Sequence, residues 1–252
     1  MNVLITNDDG IYADGIWALY KSFAEKHSVT VVAPDRERSA VGHAITLYSP
    51  LRANRVTLES GFQGYAVTGT PADCIKLSVV ELLESRPDMV ISGINPGANV
   101  GINVNYSGTV AAAREAALYN IPAIAVSVQG YRPVNYDGVA DFALDAAQKV
   151  FTSGLPSGTF LNINFPNIPL AEIPGTKICR QSIEIFPEYM DKRRDPRNRQ
   201  YYWHTCDLSG SGHGAGTDVE ALENNYISVT PIKCDATDYD MFENLKNWVE
   251  QI

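Results

Sequence analysis

The sequence predicts a doubly wound, mainly parallel α/β sheet, Rossmann-like in layout, with a C-terminal β-hairpin extension. Three observations lead there. Short apolar runs alternate with helix-periodic segments as far as Phe165. The 252 residues are 45% hydrophobic and 19% charged, enough apolar side chain for the core of one large domain spanning 1–252. Beyond Pro166 the pattern changes to two extended segments around a basic stretch.

Each element has its own signal. Residues 3–5, Val-Leu-Ile, form a short buried strand that ends in Thr6-Asn7-Asp8-Asp9-Gly10. Ile16, Leu19, Tyr20 and Phe23 follow at i, i+3, i+4 and i+7, one face of a helix. A second strand over 29–33 stops at Pro34, and 45–58 reads as extended structure broken at Pro50. Thr70 and Pro71 cap and open a helix to about residue 84, with Ile75, Val79, Leu82 and Leu83 inward. A buried strand over 88–92 precedes a Gly- and Asn-rich stretch, and Ser107-Gly108-Thr109 then opens a helix over 110–119. Strands over 121–128 and 160–165 flank a helix over 139–151. Segments 177–186 and 200–208 are the arms of the hairpin, with the basic stretch 191–199 between them. Glycine-rich 209–216 leads to a strand over 226–231 and a closing helix over 239–249.

Composition excludes several function classes. Lys+Arg 20 against Asp+Glu 29 gives a net charge of −9, which argues against a general grip on nucleic-acid polymers. A bound divalent metal can still reverse the local field, so small phosphate compounds remain open. No apolar run reaches the ~18 residues of a membrane helix. The acidic start MNVLITNDDG is unlike a secretory leader, so a cytoplasmic protein is expected. Cys74, Cys179, Cys206 and Cys234 are scattered without metal spacing and read as reduced thiols. Neither GxxxxGK[ST] nor a GxGxxG after the first strand is present, against a P-loop NTPase or a dinucleotide-dependent oxidoreductase.

In an open parallel sheet, ligands gather beyond the carboxyl ends of the strands. Four polar clusters fall there: 7–10, 35–39, 93–99 and 107–109. Asp8 and Asp9 are adjacent carboxylates that repel unless a proton or cation is shared between them. Ser39 and Asn95 offer neutral oxygen ligands from neighbouring loops. This hard, sparse oxygen set suits Mg²⁺ or Mn²⁺, which retain several waters. Ser107, Gly108 and Thr109 place amides and hydroxyls at a helix start, a setting that favours phosphate. Each also has a structural reading: a turn for Asp8-Asp9-Gly10, a loop serine for Ser39, an Asx turn for Asn95 and a helix cap for Ser107 or Thr109. His43 is a candidate for proton transfer or for a structural hydrogen bond. Lys192, Arg193, Arg194, Arg197 and Arg199, interleaved with Asp191 and Asp195, read as a solvated hairpin tip, with recruitment of anionic substrate to a partner's site as the alternative.

Taken together, the chain resembles the SurE family of survival proteins. The matching stretches are MNVLITNDDGIYADGI, VTVVAPDRERSAVGHAITL, YAVTGTPADCIKLSVVELL, PDMVISGINPGANVG, YSGTVAAAREAALYNIPAIAVS and TDVEALENNYISVTPI, in family order over nearly the whole chain. Pro96 stands where members commonly carry a basic residue, Arg38 where some carry glutamine, and Ala40 where glycine is common. The resemblance implies a metal-dependent nucleotidase acting on nucleoside 5′- and 3′-monophosphates, in some members also on short polyphosphate. It implies one divalent ion held by Asp8, Asp9, Ser39 and Asn95, phosphate bound by Ser107, Gly108 and Thr109, and a homodimer or homotetramer built through segment 177–208.

The expected mechanism is attack of water on a metal-bound phosphate. An aspartyl-phosphate route suits aspartates at alternate positions better than the adjacent Asp8 and Asp9. A nucleotide-binding regulatory protein without significant turnover needs the same cradle and is the alternative of a different class. A purely structural oligomer leaves the four polar loops unexplained.

Overall fold

Alternation along the first strand creates two cores. The computed structural model describes all residues except 59–60, 133–134, 186–187, 207–213 and 250–252. Strand β1 (Asn2–Thr6) sends Val3 and Ile5 into one hydrophobic cluster and Leu4 into another on the opposite face. Helix α1 (Asp14–Ala24) covers the first face with Ile16, Leu19 and Phe23. The chain continues through β2 (Ser28–Pro34), β3 (Ala53–Thr57), β4 (Gln63–Val67) and α2 (Pro71–Leu77). Then come β5 (Met89–Pro96), α3 (Gly108–Leu118), β6 (Ala123–Val128), α4 (Tyr136–Ser153) and β7 (Thr159–Phe165). The last elements are β8 (Thr176–Ile178), β9 (Glu188–Arg194), β10 (Gln200–Cys206), α5 (Asp218–Glu223), β11 (Ile227–Lys233) and α6 (Tyr239–Val249).

Nine strands form one sheet in the order β3-β4-β2-β1-β5-β6-β7-β11-β8. Pairing is parallel except at β3–β4 and β7–β11, so the doubly wound, mainly parallel expectation holds. Helices α1 and α4 cover one face, and α2 and α3 the other. Gly15 of α1 lies so close to β5 that a Cβ there would stand 2.2 Å from the Ile94 carbonyl oxygen. No helix among the described residues is long and apolar enough to cross a membrane.

Several expected elements are corrected. Within 45–58 only β3 is a strand, and β4 was not anticipated; its Gly64 packs against the Val31 carbonyl, where a Cβ would come within 3.0 Å. Glycine weakens a strand signal while permitting the close approach. The helix expected to residue 84 is α-helical only to Leu77 and continues as a π turn over Ser78–Leu82. Ser78 Oγ donates to the Cys74 carbonyl at 2.7 Å, and Leu83 N–H reaches back to Ser78. Strand β5 runs four residues past Ser92, with an irregularity between Ser92 and Asn95 in its pairing with β6. Asn95 therefore stands on a bulged strand end rather than in a loop.

The hairpin is also drawn differently. The expected first arm, 177–186, contributes only β8, which joins the main sheet beside β11. The arms are β9 and β10, paired from Glu188↔Cys206 to Arg194↔Gln200. Lys192, Arg193 and Arg194 thus lie in a strand, and only Arg197 and Arg199 belong to the turn. Asp191 pairs with Arg193 and Asp195 with Arg199, which neutralises part of this basic surface. Residues 207–208 of the expected second arm, and 209–213 of the glycine-rich stretch with His213, lie outside the described residues. Helix α5 was not anticipated either.

Candidate active site

The turn after β1 is built by Asn7. Its side-chain amide donates to the Gly10 carbonyl at 3.0 Å, and its Oδ1 accepts from Gly10 N–H at 3.1 Å. Gly10, at φ 102°, closes the turn, and the two aspartates between are held in fixed directions.

Asp8 is buried, and the N-terminus of α3 stands over it. Thr109 Oγ1 donates to Asp8 Oδ1, and the Asp8 carbonyl accepts from Arg38 N–H at 2.7 Å. A Cβ on Gly108 would lie 2.7 Å from Asp8 Cβ and 2.9 Å from its Oδ2. Burial raises the Asp8 pKa and prevails over the hydroxyl and amides of Thr109 and the Gly108 amide, which lower it. Asp9 is pushed up to about 7 by burial, then by the charges of Asp8 and Glu37. Its Oδ2 is buried with no hydrogen-bond partner among the described residues. The field reaches further: Tyr136 is pushed up to about 12 by burial, Asp9 and Asp14.

Ser39 lies on the loop after β2, its hydroxyl donating to Glu37 Oε1 at 2.6 Å. Asn95 donates its amide to the Gly97 carbonyl at 2.6 Å, leaving Oδ1 to act as a ligand or acceptor. A cavity of about 230 Å³ is walled by Asp8, Ser39, Asn95 and Ser107 together with Asn103 and Tyr106. Four expected residues from four chain segments therefore share one wall, with Asp9, Gly108 and Thr109 adjacent in the chain. Ser107 Oγ accepts from Val110 N–H at 3.1 Å, so its hydroxyl caps α3, and Thr109's is engaged by Asp8. The Gly108 and Thr109 amides are likewise turned to the Asp8 carboxyl, so the start of α3 is built around that side chain.

His43 is not in that wall. Its Nε2 lies 2.7 Å from Glu115 Oε2, and Lys76 Nζ lies 2.6 Å from Oε1 of the same carboxylate. Burial raises the Glu115 pKa, but the hydrogen bonds from His43 and Lys76 outweigh it and hold the carboxyl below its ordinary value. The contact ties the 36–46 loop to α3, which is the structural alternative for His43. Ala40 in that loop has φ 54°, a left-handed conformation. Ala40→Gly should stabilise the chain by about 0.5 kcal/mol, the left-handed penalty exceeding the entropy glycine adds to the unfolded chain. A urea midpoint that does not rise at constant m-value would contradict this.

Sequence reasoning passed over the groups that hold the 97–105 loop. Asn99 N–H donates to Asn164 Oδ1 at 2.7 Å, its carbonyl accepts from Asn162 and Asn164, and its side-chain amide donates to Ser127. Asp218 accepts from Gly101 and Ser182 N–H at 2.9 Å each. The available signal was two asparagines alternating with apolar residues in strand β7.

The donors fit a hard divalent cation: two carboxylates, an amide oxygen and a hydroxyl, with the orphaned Asp9 Oδ2 as an unused lone-pair site. Among the described residues no three His, Cys, Asp or Glu side chains cluster in a metal-binding group. The two neutral oxygens are therefore integral to the expected set.

Known proteins share this arrangement of sequence and fold. A family profile for survival protein SurE matches residues 3–188. The chain is 53% identical over 248 residues to the protein of Desulfatibacillum aliphaticivorans named 5′-nucleotidase SurE, covering 98% of each. It is 50% identical over 248 residues to 5′-nucleotidase SurE of Syntrophobacter fumaroxidans, covering 98% of this chain and 99% of that one. The crystal structure of the SurE protein from Aquifex aeolicus matches with a TM-score of 0.85 at 38% identity, over 98% of this chain and 99% of the other. With both its profile match and its full-length relatives in agreement, the chain belongs to the survival protein SurE family.

Proposed function

We propose that this chain is a cytoplasmic, divalent-metal-dependent phosphatase of nucleoside monophosphates, acting at the 5′ and 3′ positions and on short polyphosphate. The observation that carries the reading is Asp8 beneath the N-terminus of α3, in one cavity wall with Ser39 and Asn95. Relatives named 5′-nucleotidase SurE support the substrate class.

Asp8, Asp9, Ser39 and Asn95 would hold one Mg²⁺ or Mn²⁺. When bound, that ion supplies Lewis-acid neutralisation of the phosphate charge. The amides of Gly108 and Thr109 hold the Asp8 carboxyl, and the dipole of α3 favours phosphate oxygens as charge develops. Ser107 keeps this helix end ordered as its cap. The Asp9 carboxylate would also orient the attacking water. The water oxygen bonds to phosphorus as the phosphorus–sugar oxygen bond breaks; water yields a proton and the sugar oxygen departs as a hydroxyl. His43, paired with Glu115, acts by holding the Ser39 loop rather than by touching the substrate.

The test is phosphate release from a panel of 5′- and 3′-monophosphates and tripolyphosphate, first with chelator and then with added Mg²⁺ or Mn²⁺. Release should fall to background with chelator and return with the ion. Tight nucleotide binding without release under any condition would favour the regulatory alternative.

The β9–β10 hairpin is proposed as the assembly element of a homodimer or homotetramer. Tyr202, Trp203 and Met190 on it are each more than half exposed. Glu188 and Cys206 pair across its base, so a short Gly-Ser link can replace 188–206 without stretching the fold. That deletion should shift the chain to monomer in analytical ultracentrifugation; an unchanged oligomer would remove the hairpin from the interface.

A further inference from the structure

The wall of the Asp8 cavity continues into a second, larger one. This neighbour encloses about 450 Å³, and Gly97, Ala98 and Asn103 line both. Its chemistry is the opposite of the first. Val100, Val219 and Leu222 are buried against one another and Ala98 as a separate apolar cluster, which forms the floor. Tyr131, a residue 91% exposed, stands at the rim, and Gln129 also lines the cavity. Asp8 and Asp9 do not line this space, and Glu223, at the end of α5, is the acidic residue that does.

A ligand filling both cavities has a compact anionic end and a flat, weakly polar end. Volumes of 300–1,000 Å³ with an apolar lining and a few polar groups are typical of small-molecule sites. A purine or pyrimidine matches the second cavity: its face stacks on an aromatic ring, and its edge exchanges hydrogen bonds with amides. We propose that the Val100–Val219–Leu222 cavity with Tyr131 at its rim is the nucleoside subsite, with Tyr131 as the stacking residue for the base. This rests on the phosphatase reading for the position of the phosphate, and it adds where the leaving group lies. Helix α5, which supplies Val219 and Leu222, thereby becomes a specificity element although it touches no reacting atom.

The test compares the wild type with Tyr131→Ala and Tyr131→Phe. Calorimetry gives the Kd of adenosine, which carries no phosphate. Steady-state kinetics gives the ratio of kcat/KM for AMP to that for ribose 5-phosphate, which carries no base. Loss of a base–aromatic stack should weaken adenosine binding by about tenfold in Tyr131→Ala and lower the ratio by a similar factor. Tyr131→Phe should restore both, since the ring remains. Adenosine that does not bind the wild type, or an unchanged Kd and ratio in Tyr131→Ala, overturns the subsite. Equal losses on AMP and ribose 5-phosphate overturn it too, because Tyr131 would then act on the phosphate end or the loop. The two readings fail separately. AMP hydrolysis with no Tyr131 effect leaves the phosphatase standing without this subsite. Adenosine binding that depends on Tyr131, with no phosphate release from AMP, leaves the subsite standing without the phosphatase.

Discussion

Asp9→Asn is expected to lower phosphate release at saturating Mg²⁺ by about 10³-fold, the scale of losing a metal anchor at a developing charge. The substitution keeps the side chain's shape and deletes the charge. Asp9 is crowded by Asp8 and Glu37 and is pushed up to about 7 by burial and by those charges. A carboxyl whose pKa rises on folding costs stability at every pH above its unfolded value, and the full cost is present above about 7. The metal-free variant should therefore melt at a higher temperature than the metal-free wild type at pH 8. Lost activity with a raised Tm would identify a charge kept for the ion at the expense of the fold. Retained turnover at saturating metal would remove Asp9 from the ion's ligands, and a lowered Tm would mark it as structural.

Gly108→Ala is expected to damage both stability and activity. The new methyl would sit 2.7 Å from Asp8 Cβ, which cannot rotate away because it is attached directly to the backbone of the Asn7-held turn. Either α3 retreats or the turn does. Overpacking of this kind costs about 1–3 kcal/mol. A displacement of order 1 Å between phosphate donors and carboxylates costs about 10²-fold in kcat/KM. Urea unfolding and AMP hydrolysis read the two effects. Wild-type values for both would show that the helix end and Asp8 do not need this contact.

The doubly wound sheet was legible because its central strands are buried on both faces and read as apolar runs, with helix periodicity between them. The strand ends were legible for a complementary reason: polar clusters directly after such runs have nowhere to go but the sheet's carboxyl edge. Asp8, Ser39, Asn95 and Ser107 were found that way, and they share a wall. Strand β4 was missed because Gly64 dilutes its pattern, although the same glycine is what lets β4 lie against Val31. The π turn at Ser78–Leu82 keeps nearly the helical period, so spacing alone does not reveal it. His43 meets Glu115 from 72 residues away, and long-range contacts leave no local signature. The arms of the hairpin were misplaced because β9 carries the charges expected of a turn, and solvent on an isolated two-stranded ribbon tolerates them in a strand.

The 97–105 loop is held through its main chain at Asn99 and Gly101 and through the buried side chains of Val100 and Val104. Asn162, Asn164, Asp218 and Gln181 reach it from other elements, and they bind backbone atoms of Asn99 and Gly101. None of these main-chain bonds falls on residues 98 or 103, which line both cavities. Scaffold and lining are separable in this molecule. A library confined to those two positions can redraw what the enzyme accepts while the path of the chain past Asp8 stays the same.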